Sequence, residues 1–69
     1  MAASNITTFE LSRDGRFLVG DEEGTLWSIK ENGLTLNKTK MFDSPVQGIM
    51  EMVNGQVMGY GPSIFITNI

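Results

Sequence analysis

The hydrophobic positions of this chain fall in short runs, and glycine-containing turn pairs stand between them: Asp14-Gly15, Glu23-Gly24, Asn32-Gly33, Asn54-Gly55 and Gly61-Pro62. No stretch of about 11 residues places apolar side chains at i, i+3, i+4 and i+7, so the pattern predicts no amphipathic helix. Thr, Ile, Val and Phe fill the runs, and such residues fit a pleated, half-buried surface. The spacing predicts strands over Ile6–Leu11, Arg16–Val19, Thr25–Ile29, Leu34–Met41, Val46–Met52, Gln56–Tyr60 and Ile64–Asn68. Strict alternation in the first strand would place Thr7, Phe9 and Leu11 on the face opposite Ile6, Thr8 and Glu10. The triplets Phe17-Leu18-Val19 and Ile64-Phe65-Ile66 read as strands covered on both faces.

The turns are equally legible. Asp14-Gly15 and Asn54-Gly55 are the strongest hairpin signals, and they predict type I′ turns with positive φ at both central residues. Gly24 marks a further turn. Asp14, Gly15, Gly24, Asn54 and Gly55 are thus the expected structural turn residues. Ser44-Pro45 holds the chain extended ahead of Val46, because the residue before proline is pushed out of the α region.

Compared with itself, the chain repeats at an offset of 40 residues: ITTFELSRDG from Ile6 matches VQGIMEMVNG from Val46. RFLVG then matches QVMGY, and GTLWSIK matches PSIFITNI with the second copy two residues shorter. Trp27 and Phe65 occupy the same place in the two copies. A period near 40 with several strands per unit is the signature of a propeller blade. DGRFLVGDEEGTLWSIKENG resembles a blade of the WD40-type β-propeller superfamily, and SPVQGIMEMVNGQVMGYGPSIFITNI resembles most of a second. The likeness spans about 60 of the 69 residues. The Trp-Asp and Gly-His dipeptides of that superfamily are absent, since Ser28 follows Trp27 and the chain has no histidine.

The resemblance implies an all-β, antiparallel fold of about two blade-like repeats, 6–41 and 46–69, within one domain spanning 1–69. Two blades cannot close a ring, and a chain of this size buries too little surface to be comfortable alone. Either the chain is a fragment of a longer protein, or copies of it assemble; a trimer or tetramer of two-blade chains would give six or eight blades. A strand missing from the second unit could come from Ser4–Thr8 or from a neighbour. The alternative is a small closed β-barrel of seven strands.

Composition narrows the chemistry. The 69 residues include no cysteine and no histidine, which removes disulfides, Cys/His zinc sites, cysteine nucleophiles and Ser–His–Asp sets. A net charge of −3 disfavours nucleic acid and anionic membranes. No apolar run approaches the roughly 18 residues of a membrane helix, and the N-terminus lacks a signal-peptide pattern; the expected location is the cytoplasm. Asn5-Ile6-Thr7 and Asn37-Lys38-Thr39 match the glycosylation pattern, which matters only for a secreted chain.

Asp21-Glu22-Glu23 lacks the alternating ligand spacing of a calcium loop and reads as a solvated turn. Gly59-Tyr60-Gly61-Pro62-Ser63 lacks the lysine and helix of a phosphate loop. No catalytic residue, metal site or cofactor is expected. The candidate interaction residues are Trp27 and Tyr60, as aromatic anchors where they are exposed, and Met50, Met52 and Met58 read mainly as core. The sequence thus points to a non-enzymatic protein–protein interaction module that self-assembles. Two other readings are a structural assembly subunit, such as a small viral or phage accessory factor, and a lectin-like ligand site formed between chains.

Overall fold

The computed structural model describes residues 4–69. Seven strands form two antiparallel sheets: β1 (Ile6–Leu11), β2 (Phe17–Asp21), β3 (Thr25–Ile29), β4 (Thr35–Lys40), β5 (Gly48–Glu51), β6 (Val57–Tyr60) and β7 (Ile64–Thr67). The first sheet runs β1-β2-β3-β4 and the second β5-β6-β7, each a simple up-and-down meander. The sheets are separate and do not close into a barrel. The fold is all-β, as the sequence leads one to expect. The segment ahead of Thr8 does not complete the second sheet: Ile6–Thr8 pairs with β2, and the Asn5 carbonyl accepts the Glu22 amide at 2.9 Å.

Four glycines carry positive φ, namely Gly15, Gly24, Gly33 and Gly55, and among the described residues no other residue type does. This corrects the expected type I′ geometry, because Asp14 and Asn54 keep negative φ. In the first hairpin the Gly15 amide bonds the Ser12 carbonyl and the Ser12 amide bonds the Arg16 carbonyl. The second unit repeats both bonds, Gly55 to Met52 and Met52 to Gln56. Each is a type I turn followed by a left-handed glycine, the three-residue hairpin loop. The side chains follow suit, since Asp14 Oδ1 accepts the Arg16 amide and Asn54 Oδ1 accepts the Gln56 amide.

The registers of the two sheets coincide. The pairs Thr8↔Gly20, Phe9↔Val19, Glu10↔Leu18 and Leu11↔Phe17 of β1–β2 become Gly48↔Tyr60, Ile49↔Gly59, Met50↔Met58 and Glu51↔Val57 of β5–β6, each shifted by 40. The pairs Phe17↔Ile29 through Gly20↔Leu26 of β2–β3 become Val57↔Thr67 through Tyr60↔Ile64, with the third strand shifted by 38.

One face of the first sheet packs on one face of the second, with β1 and β2 lying against β5. Leu18, Leu26, Met41, Phe42, Val46, Ile49 and Val57 form the buried core between them, joined by Phe65 and Ile69. Phe42 meets Phe65 edge-on at 6.5 Å. Gly20 has no side chain because Val46 fills its place: a Cβ there would lie 2.7 Å from the Val46 Cβ. The connector from Met41 to Gln47 wraps the β2–β3 turn. Its Met41 and Phe42 amides both bond the Gly24 carbonyl, and the Val46 amide bonds the Asp21 carbonyl at 3.1 Å. A bulge at Thr7 shifts the β1 register, so that Ile6 stands opposite Asp21 and joins the face that carries Phe9. Strict alternation fails there, and the Thr7 hydroxyl, freed from the ladder, reaches the Val46 carbonyl at 2.6 Å.

Candidate functional site

Sheet-on-sheet packing leaves one face of each sheet turned outward. On the first sheet that face is a grid set by register: Phe9, Val19, Trp27 and Lys38 in one row, Leu11, Phe17, Ile29 and Thr35 in the next. Val19, Trp27 and Ile29 form a compact apolar cluster on the central strands. Phe9, on the edge strand, is 69% exposed, and Leu11 and Phe17 are exposed beside it. On the second sheet the outward rows are Gly48, Tyr60 and Ile64, and Met50, Met58 and Ile66. Tyr60 lies across Gly48, where a Cβ would overlap its ring, and keeps 44% exposure. Met50, Ile64 and Ile66 are exposed around it.

Trp27 is held from two sides. Its Nε1–H donates to Asp21 Oδ2 at 2.9 Å, and the Lys38 ammonium sits 5.2 Å over the ring. The ring is only 7% exposed. Asp21 is buried, and its other oxygen accepts the Glu23 and Thr25 amides at 3.0 and 2.9 Å. Asp21 is therefore no part of a solvated acidic turn; it closes the β2–β3 turn and anchors the indole. Glu22 and Glu23 alone of that cluster face solvent.

Beside Trp27 opens a recess of about 350 Å³ lined by Ser4, Asp21, Glu23, Thr25, Lys38 and Lys40. Its carboxylates are occupied: Asp21 has three donors, and Glu23 accepts the Ser4 hydroxyl. Among the described residues no group of three or more acidic side chains is arranged to hold a metal ion.

The turn residues lie at the hairpin tips. Asp14 accepts the Ser12 hydroxyl and the Arg16 guanidinium, the latter at 2.9 Å. These bonds, that from Ser12 foremost, hold its carboxyl down at about 2, against an ordinary 3.8. Arg16 in turn reaches the Ser28 hydroxyl at 2.9 Å and the Ile69 carbonyl, which ties the first sheet to the end of the described chain. Sequence reasoning did not find Arg13. From the first hairpin tip its guanidinium donates to the Met52 and Val53 carbonyls at 2.8 and 3.0 Å, and to Glu51 at 3.4 Å. It clamps one hairpin tip to its counterpart 40 residues on. The only signal was the repeat itself, which places Arg13 opposite Val53.

The structure thus brings Trp27 together with Val19, Ile29 and Phe9 on one outward face and sets Tyr60 on the other. Among the described residues no helix is long and apolar enough to cross a membrane. No protein-family model matches the chain, and no curated protein matches it either.

Proposed function

We propose that this chain is a non-enzymatic protein-binding module built of two propeller-blade-like units. The observation that carries this reading is the gathering of exposed apolar side chains on two opposite sheet faces: Phe9, Leu11 and Phe17 on one, Met50, Ile64 and Ile66 on the other. Contiguous apolar patches of that kind mark interaction surfaces. Aromatic and methionine side chains are the types that interfaces favour. The polar groups support the same reading by being occupied in the fold: the buried carboxylate of Asp21 and the guanidiniums of Arg13 and Arg16 all bond within the chain.

Site-specific photo-cross-linking tests it. Benzoylphenylalanine placed at Phe9 or at Ile64 is expected to give discrete covalent adducts with protein in the native cellular context. The same probe at Glu31, on the exposed β3–β4 turn, is expected to give none. Equal labelling at all three positions, or none at any, contradicts the reading.

A further inference from the structure

The two outward faces are related by the repeat. Toward the second sheet, the first presents Leu18, Gly20, Leu26 and Ser28; their register counterparts are Met58, Tyr60, Ile64 and Ile66, on the outward face of the second sheet. Toward the first sheet, the second presents Ile49, Val57, Gly59 and Phe65; their counterparts are Phe9, Phe17, Val19 and Trp27, on the outward face of the first. The sheets are therefore stacked in succession, each turned the same way, not back to back. Each outward face is the counterpart of a face that already holds a sheet within the chain.

We propose that a second copy of this chain covers each face: the Tyr60–Ile64 face of one copy docks on the Phe9–Trp27 face of the next, repeating the intrachain joint. This rests on the protein-binding reading above and names the partner. Such a contact is head-to-tail, and it closes into a ring when its rotation allows. Three or four copies give six or eight sheets, inside the range of about four to eight blades that closed propellers use.

The side chains at the two joints differ in the way this requires. Within the chain, Arg13 clamps onto Glu51 and the carbonyls beside it. Between copies, the counterpart positions bring Val53 to Leu11. Val53 is 93% exposed at a hairpin tip and Leu11, beside Phe17 on its sheet, is exposed too, so both offer apolar surface to a neighbour. Where Val46 fills the space over Gly20 within the chain, the exposed Ile6 meets Tyr60 between copies. The interchain joint exchanges an ion pair for apolar contact, the composition of the core of a protein interface.

Light scattering coupled to gel filtration tests this with the 69-residue chain and two variants, Phe9→Glu and Ile64→Glu, each at an exposed position. The unaltered chain is expected to hold three or four times 7.6 kDa on dilution. Each variant, folded by circular dichroism, is expected at the mass of one chain. Mixed in equal amounts they are expected to pair, because each retains the face the other has lost. A face that pairs with itself would leave the variant that retains it dimeric, which overturns the proposal. So does an unaltered chain that stays at 7.6 kDa at every concentration, or a mixture that stays monomeric. A second pair guards the result: Leu11→Glu is expected to lose the ring, and adding Val53→Arg to restore it by moving the intrachain clamp to the joint. An unrestored mass overturns the alignment of the joint. A monomeric chain that still cross-links from position 9 to a different protein overturns self-docking and leaves the binding-module reading standing. A monomer with no cross-link overturns both.

Discussion

The indole nitrogen of Trp27 and the buried carboxylate of Asp21 are joined across the β2–β3 hairpin by a hydrogen bond of 2.9 Å. The same carboxylate closes the turn through two backbone amides, so one side chain satisfies three donors. Removing it leaves the buried indole N–H and two part-buried backbone amides short of a partner. Asp21→Ala is expected to cost about 3 kcal/mol, the scale of a lost acceptor with its donors stranded. Trp27→Phe removes one of the bonds and is expected to cost about 1 kcal/mol beyond its change in packing, whereas Trp27→Ala is expected to cost about 3–5 kcal/mol. Urea unfolding at one fixed chain concentration measures all three. Equal losses for Asp21→Ala and Trp27→Phe would mean that the turn amides do not depend on the carboxylate.

Asp14 sets an acid limit. Its folded carboxyl titrates at about 2, below the 3.8 of an unperturbed one. The folded state therefore holds the ionised form more firmly, and the stability this contributes is present above about pH 4. It is lost as pH falls through about 2. Asp14→Asn keeps the turn bond, as Asn54 does in the second unit, and removes only the ionic part. The gap in melting temperature between the two proteins is expected to be nearly constant well above pH 4, to narrow as pH falls below it, and to close only as pH falls through about 2. A carbon-detected titration that places Asp14 near 3.8 would refute the assignment.

The positive-φ glycines are not equivalent. A Cβ on Gly15 meets nothing within 4 Å, whereas one on Gly24 would overlap the Phe42 carbonyl oxygen. Gly15→Ala is expected to cost only the left-handed backbone, about 1–2 kcal/mol, and Gly15→Val more, because a branched Cβ resists that region. Gly24→Ala must also displace the connector, and is expected to lower the melting temperature far more than Gly15→Ala. Equal effects would place the connector elsewhere.

Gly20 and Val46 share one space. Gly20→Ala overpacks it, and is expected to cost about 1–3 kcal/mol. Val46→Ala empties it, at about 2 kcal/mol. The double variant is expected to lose clearly less than the sum of the two, a coupling that denaturant titration of the four proteins reads directly.

Arg13 lies largely in solvent while its carbonyl partners belong to the second hairpin. Arg13→Ala is expected to cost about 1 kcal/mol, with little dependence on salt, because its two shortest side-chain contacts are to backbone carbonyls, whereas the ion pair with the largely covered Glu51 is long, at 3.4 Å. A loss abolished in high salt would mean that the ion pair alone matters.

Much of this architecture is legible in the residues. β1 and β3 have the ends their apolar runs imply, since local composition and tertiary pairing agree there. β2 runs on to Asp21, past the expected Val19, because Gly20 is needed under Val46 and Asp21 serves the turn with its side chain; neither fact is local. Asx-Gly marks the hairpin tips but does not choose between a two-residue turn and a type I turn with a left-handed glycine, since the loop length is set by where the strands pair. The outward faces could not be assigned from β1 alone, because the Thr7 bulge reverses its alternation at Ile6. Trp27 stands out by type. Its anchoring by Asp21 depends on a hairpin geometry that its spacing does not reveal.

Every hydrogen-bonded neighbour within a sheet is also the next strand along the chain. Each sheet can therefore assemble by zipping adjacent hairpins, with little loop entropy to lose at each step. Joining one sheet to the other is a different kind of event. It brings together groups some 40 residues apart, Thr7 with Val46 and Arg13 with Glu51, and it waits until both hairpin tips are formed. Under heat or denaturant the weakest seam of the molecule runs between its sheets, and amides along the connector from Met41 to Gln47 should exchange with solvent before those at the centre of either sheet.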